Sequence, residues 1–76
     1  MELVLYSTDG CALCERALDG LLSMPELSGL TLRVVDVATE EGLLRRYGER
    51  IPVLRFGGRE TDSPLDRDAV IALLTP

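Results

Sequence analysis

Hydrophobic and polar positions divide this chain into seven stretches. Glu2-Leu3-Val4-Leu5-Tyr6 is a short apolar run without alternation, as expected for a strand covered on both faces. Ser7-Thr8-Asp9-Gly10 supplies turn formers and caps. From Cys11 to about Met24 the period is helical: Cys14, Ala17, Leu18, Leu21 and Leu22 share a face, and Gly20 weakens the helix by ~1 kcal/mol relative to Ala. Pro25 marks the end region. Leu30–Val37 is a second strand, and Arg33 and Asp36 place it at a sheet edge. A strand–helix–strand run of this kind makes a right-handed parallel βαβ unit.

Thr39 is the expected N-cap of a second helix. Glu40 and Glu41 occupy its first turn, Arg45 and Arg46 its last, and Gly48 the C′ position. Leu43, Leu44 and Tyr47 form its apolar face. Ile51–Phe56 is a third strand opened by Pro52. Gly57-Gly58 fits a two-residue hairpin turn, and Arg59-Glu60-Thr61 makes a short polar edge strand. A last helix is expected with Ser63 as N-cap, Pro64 at N1 and Asp66 at N3; its stripe is Leu65, Ala69, Val70, Leu73 and Leu74. The order is β-α-β-α-β-β-α, an α/β fold with a four-stranded mixed sheet flanked by three helices. With 76 residues it is one domain, 1–76.

Composition narrows the chemistry. Thirteen acidic against eight basic residues give a net charge of −5, a poor match for nucleic acid. The chain has no Lys and no His, so imidazole base catalysis and a Cys–His nucleophile pair are excluded. No apolar run approaches ~20 residues, so no membrane helix is expected. No basic region followed by an apolar core is visible after Met1, and the expected location is cytoplasmic. In a reducing compartment two cysteines point to redox or metal chemistry more than to a permanent staple.

Those two cysteines are Cys11 and Cys14, a Cys-x-x-Cys at the junction of the first strand and first helix. A dithiol attacks a disulfide as a thiolate and resolves the mixed disulfide with its second thiol. Free N–H groups at a helix start favour the thiolate of Cys11; Asp9 and Glu15 oppose it, and Arg16 offsets them if it turns back. A structural disulfide is the bland alternative, but so short a loop restrains the unfolded chain little. One pair gives zinc two ligands of the four it wants, so metal requires a dimer sharing two pairs, or a cluster bridging two chains. Tyr6, Tyr47 and Phe56 read as core or half-buried residues. Arg45, Arg46, Arg50, Arg55 and Arg59 read first as a solvated face and second as an anion patch.

With this Cys pair after the first strand, Ile51-Pro52 before a hairpin, and a capped final helix, the whole chain resembles the glutaredoxin-like proteins of the thioredoxin superfamily, in particular the short bacterial ones. The resemblance implies sheet order second, first, third, fourth strand, and a cis Ile51-Pro52 bond against the cysteines. It also implies Cys11 as exposed nucleophile and Cys14 as buried resolving thiol. Leu13, Ile51, Pro52, Ser63 and Asp66 would contact the substrate. It implies a small monomeric thiol–disulfide oxidoreductase with no bound cofactor that reduces protein or low-molecular-weight disulfides, its partner a disulfide-containing protein or glutathione, with glutathione as an expected reductant. The chain departs from the glutaredoxin pattern where glutathione is held. Ala12 and Leu13 replace a proline and tyrosine, Asp9 stands where a basic residue is usual, and the glycine pair after the hairpin is missing. The contrasting reading is a binding module that keeps the fold without catalysis, or a cluster- or metal-bridged dimer.

Overall fold

A computed structural model describes residues 2–75. It contains β1 (Glu2–Ser7), α1 (Ala12–Leu22), β2 (Thr31–Asp36), α2 (Glu41–Tyr47), β3 (Val53–Phe56), β4 (Arg59–Asp62) and α3 (Arg67–Leu74), with 3-10 turns at Pro25–Leu27 and Val37–Thr39. The strands form one sheet in the order β2-β1-β3-β4. β1 and β2 run parallel, and β1–β3 and β3–β4 antiparallel. This is the mixed sheet and strand order of the thioredoxin-like fold.

Both faces of β1 are buried, which is why its sequence does not alternate. Leu3 and Leu5 face a core built with Leu54 of β3, Leu21 of α1, and Val70 and Leu73 of α3. Val4 and Tyr6 face the opposite side and pack with Val37, Tyr47 and Val53. Thus α1 and α3 share one face and α2 covers the other. Tyr6 and Tyr47 stack with ring centroids 4.0 Å apart. The Tyr47 hydroxyl donates to Glu60 Oε2 at 2.6 Å, and Arg50 links Glu60 to Asp62 at 3.3 and 2.9 Å. Burial pushes the Tyr47 phenol up to about 12, and the Glu60 carboxylate adds to it. Glu60 is lowered, by the Tyr47 hydrogen bond first and Arg50 next, and Asp62 is lowered by Arg50. The Gly57-Gly58 turn lies between the paired Phe56 and Arg59, and Gly57 adopts φ +63.

Several expected details differ. α3 begins at Arg67, with Asp66 as N-cap accepting from the Ala69 N–H at 2.8 Å. Ser63 and Pro64 lie in the loop before it, joined by a cis bond. Two good capping side chains compete here, and the carboxylate three residues closer to the apolar stripe wins. Thr39 does not cap α2. Its hydroxyl donates to the Asp36 carbonyl at 2.8 Å within the 3-10 turn that Asp36 caps, and Glu40 stands at the α2 N-cap without a side-chain hydrogen bond. Gly48 follows α2 with right-handed dihedrals (φ −52), so it is not a left-handed C′ glycine. Leu22 (71% exposed) and Leu44 fall outside the core although they fit the helical stripes, because the sheet is too narrow to cover them. Among the described residues no helix is long and apolar enough to cross a membrane.

Candidate functional site

The register brings one end of every strand together. Parallel pairing sets Ser7 at the end of β1 beside Asp36 at the end of β2. Tyr6 pairs with Val53, so the residue before β3, Pro52, falls at this same end. Val53 pairs with Asp62, which brings the loop starting at Ser63 alongside. The carboxyl end of β1 is therefore where the Cys loop, the Ile51-Pro52 bond and the entry to α3 converge. This is the usual place for a site in an open α/β sheet.

Gly10, at φ +75, turns the chain out of β1, and the Thr8 hydroxyl ties the loop to Asp36 Oδ1 at 3.0 Å. Cys11 then serves as the N-cap of α1. Its Sγ accepts from the Cys14 backbone N–H at 3.2 Å, and its carbonyl accepts from the Glu15 N–H at 3.0 Å. Sulfur thus occupies the position that an Asp or Ser oxygen usually holds. An N–H and the positive end of α1 face it, and both favour negative charge there. Cys14 sits one turn along, 1% exposed, while Cys11 is partly open to solvent. The two form a disulfide with their Cα atoms 5.2 Å apart. Among the described residues no cysteine is left free.

Two hollows of about 230 Å³ each lie along the first turns of α1, one of them lined in part by Cys14. One, toward α3, is lined by Leu13, Arg16, Ala17, Ser63, Pro64, Leu65 and Asp66. Three of the five residues expected to contact substrate, Leu13, Ser63 and Asp66, meet here; Leu13 is 55% exposed. Ile51 and Pro52 do not line it. Their peptide bond is cis, as the resemblance implied, and Pro52 is fully buried. The second hollow lies toward β2, between Ser7, Thr8, Asp9 and Gly10 of the loop, Cys14, Glu15 and Leu18 of α1, and Val34 and Asp36 of β2. Sequence reasoning missed this wall, and the signal for it was the parallel register that places Asp36 beside Ser7. It also missed Pro64 and Leu65, because it drew α3 over them.

The arginines, read in the sequence as a solvated face, are largely engaged. Arg45 pairs with Glu41, Arg50 with Glu60 and Asp62, and Arg59 donates to the Ala72 and Thr75 carbonyls at the end of α3. Arg46 lies over the Tyr47 ring and Arg55 over Tyr6. Arg16, by contrast, lines the hollow toward α3.

Comparison with known proteins agrees with this geometry. The family model for the glutaredoxin-like domain (DUF836) matches residues 2–75. The X-ray structure of Northeast Structural Genomics target protein XcR50 from X. campestris is 35% identical and superposes with a TM-score of 0.82. That match covers 97% of this chain and 99% of that chain. The comparison with curated proteins finds no match. A thioredoxin-like sheet, a Cys-x-x-Cys pair at the start of its first helix and a family match along nearly its full length place the chain in the glutaredoxin-like domain family.

Proposed function

We propose that this protein is a small thiol–disulfide oxidoreductase that reduces disulfides with Cys11 and Cys14. The observation that carries the reading is the asymmetry of the pair: Cys11 is accessible and caps α1 with a backbone N–H on its sulfur, while Cys14 is buried one turn behind it. In the reduced protein the Cys11 thiolate attacks one sulfur of the substrate disulfide. The substrate S–S bond breaks, and the leaving thiolate takes a proton from solvent. Cys14 then loses its proton to solvent and attacks Cys11 Sγ, releasing the second substrate thiolate. The substrate gains two electrons and the protein gains its disulfide, which an external thiol or dithiol reductant reopens.

Leu13, Ser63 and Asp66 form the wall on the α3 side, and Ile51-Pro52 the backbone rim, against which the substrate lies. Glutathione is the less favoured reductant, because Asp9 and Glu15 stand near the pair and repel its carboxylates. The reading implies a monomer working in the cytoplasm without a bound cofactor.

Intact-mass analysis after equilibration in graded glutathione buffers, with thiols trapped by alkylation, tests it. The expected result is a smooth two-electron transition of wild type between dithiol and intramolecular disulfide. Cys11→Ser abolishes disulfide reduction, and Cys14→Ser accumulates a mixed disulfide. Reduction that survives Cys11→Ser would overturn the assignment of the nucleophile. A pair that never opens or never closes would overturn the reaction.

A further inference from the structure

The hollow on the β2 side has a composition that the proposed chemistry leaves unexplained. Its rim carries three carboxylates, Asp9, Glu15 and Asp36, and its apolar wall is Leu18 with Val34, which is 48% exposed. Cys14 of the redox pair forms part of its floor. Asp36 Oδ1 accepts from Thr8 and from the Ala38 N–H. Among the described residues none of the three carboxylates has an arginine partner, whereas Glu2, Glu26, Glu41, Glu60 and Asp62 each do. At about 230 Å³ the cavity is smaller than the ~300–1,000 Å³ usual for whole small-molecule ligands. It has the size and the amphipathic lining for one long cationic side chain, with the stem on Val34 and Leu18 and the charged head at the carboxylates.

We propose that this hollow receives a Lys or Arg side chain flanking the cysteine that is attacked in a polypeptide disulfide, so that the protein selects basic disulfide substrates over acidic ones. The proposal rests on the oxidoreductase reading and names its substrate class. The covalent steps are those given above and are unchanged. The cation supplies position and charge, and it also offsets the repulsion that Asp9 and Glu15 exert on the Cys11 thiolate during attack.

The test uses the full chain, reduced with dithiothreitol and freed of excess reductant. Three disulfide-linked peptides are compared, identical except for Lys, Ser or Glu beside the cysteine. The readout is the second-order rate constant of their reduction at low and high salt. The expected Lys-to-Glu rate ratio is about tenfold at low salt, and it shrinks as salt screens the rim. Asp9→Asn combined with Glu15→Gln brings the ratio close to one. Any change these substitutions cause in the Cys11 thiolate acts on all three peptides and cancels in the ratio. Glu2→Gln, at the other end of β1, leaves the ratio unchanged, because the selection belongs to the hollow and not to the net charge. Equal rates for the three peptides, or an equal loss of the ratio in Glu2→Gln, would overturn the proposal while leaving the oxidoreductase reading intact. If even the Ser peptide is not reduced by wild type, it is the oxidoreductase reading that fails.

Discussion

Removing the Tyr47 hydroxyl tests whether the face opposite α1 is held by packing alone or also by its buried polar link. In Tyr47→Phe the ring stays, 2% exposed in wild type and stacked 4.0 Å from Tyr6, so the van der Waals packing is preserved. What goes is a 2.6 Å hydrogen bond to a carboxylate. Hydrogen bonds to charged groups contribute about 1.5–3 kcal/mol. Arg50 still serves Glu60, and part of that side chain reaches water, so the lower end applies: about 1.5 kcal/mol. At roughly 4–8 °C per kcal/mol for a domain of this size, the melting temperature falls by about 6–12 °C. Urea titration by circular dichroism should show a lower midpoint with an unchanged slope. The raised phenol pKa gives a second readout. A phenol pKa higher in the folded than in the unfolded state contributes stability that is complete below pH ~10 and lost as pH rises toward about 12. The gap between wild type and Tyr47→Phe must therefore narrow across that alkaline range. A substitution that costs less than about 0.5 kcal/mol, or a gap that stays constant from pH 8 to 12, would refute the reasoning.

Three further outcomes follow from the same structure. Asp66→Ala loses the α3 cap and about 1 kcal/mol of stability, while Ser63→Ala changes the urea midpoint by less than about 0.5 kcal/mol equivalent; the reverse order would restore the earlier helix start. Gly20→Ala stabilises by about 0.5–1 kcal/mol, because a Cβ there meets open space on the exposed side of α1, and thermal unfolding reads it directly. Glu60 and Asp62 have lowered carboxyl pKa values, so their contribution is present above the ordinary carboxylate range and lost as pH falls below it; urea midpoints between pH 6 and 2 should fall less steeply in Arg50→Gln than in wild type.

The site was legible in the sequence where local pattern and chemistry coincide. Cys11 and Cys14 follow a continuous apolar strand and open a helical period, and that conjunction alone fixes a sheet-end dithiol. Pro52 was legible as a strand opener, since a missing N–H is tolerated there. What the sequence hid is what depends on competition or register. Ser63 and Asp66 are both competent caps, and α3 starts at the one nearer the buried Val70 and Leu73. Leu22 and Leu44 obey the helical period, but a four-stranded sheet cannot cover the ends of their stripes. The acidic hollow comes from Asp9 and Asp36, 27 positions apart, which meet because β1 and β2 pair in one register and not its neighbour. A shift by one residue would turn Val34 to the other face.

The Arg59 guanidinium, donating to Ala72 and Thr75 at 2.8 and 2.7 Å, fastens the hairpin to the end of α3. The chain thereby becomes two halves: a βαβ half that carries both sulfurs, and a ββα half that carries Pro52, Ser63 and Asp66. Within the sheet they meet along a single seam, the four residue pairs from Leu3–Phe56 to Tyr6–Val53. The two cysteines and part of the wall proposed to receive substrate thus sit on opposite sides of that seam. Parting the halves would open the core they share, in which Leu3, Leu5 and Leu21 meet Leu54, Val70 and Leu73, so the site stays assembled as long as the sheet does. Amide exchange along β1 and β3 then measures how long the two halves stay joined.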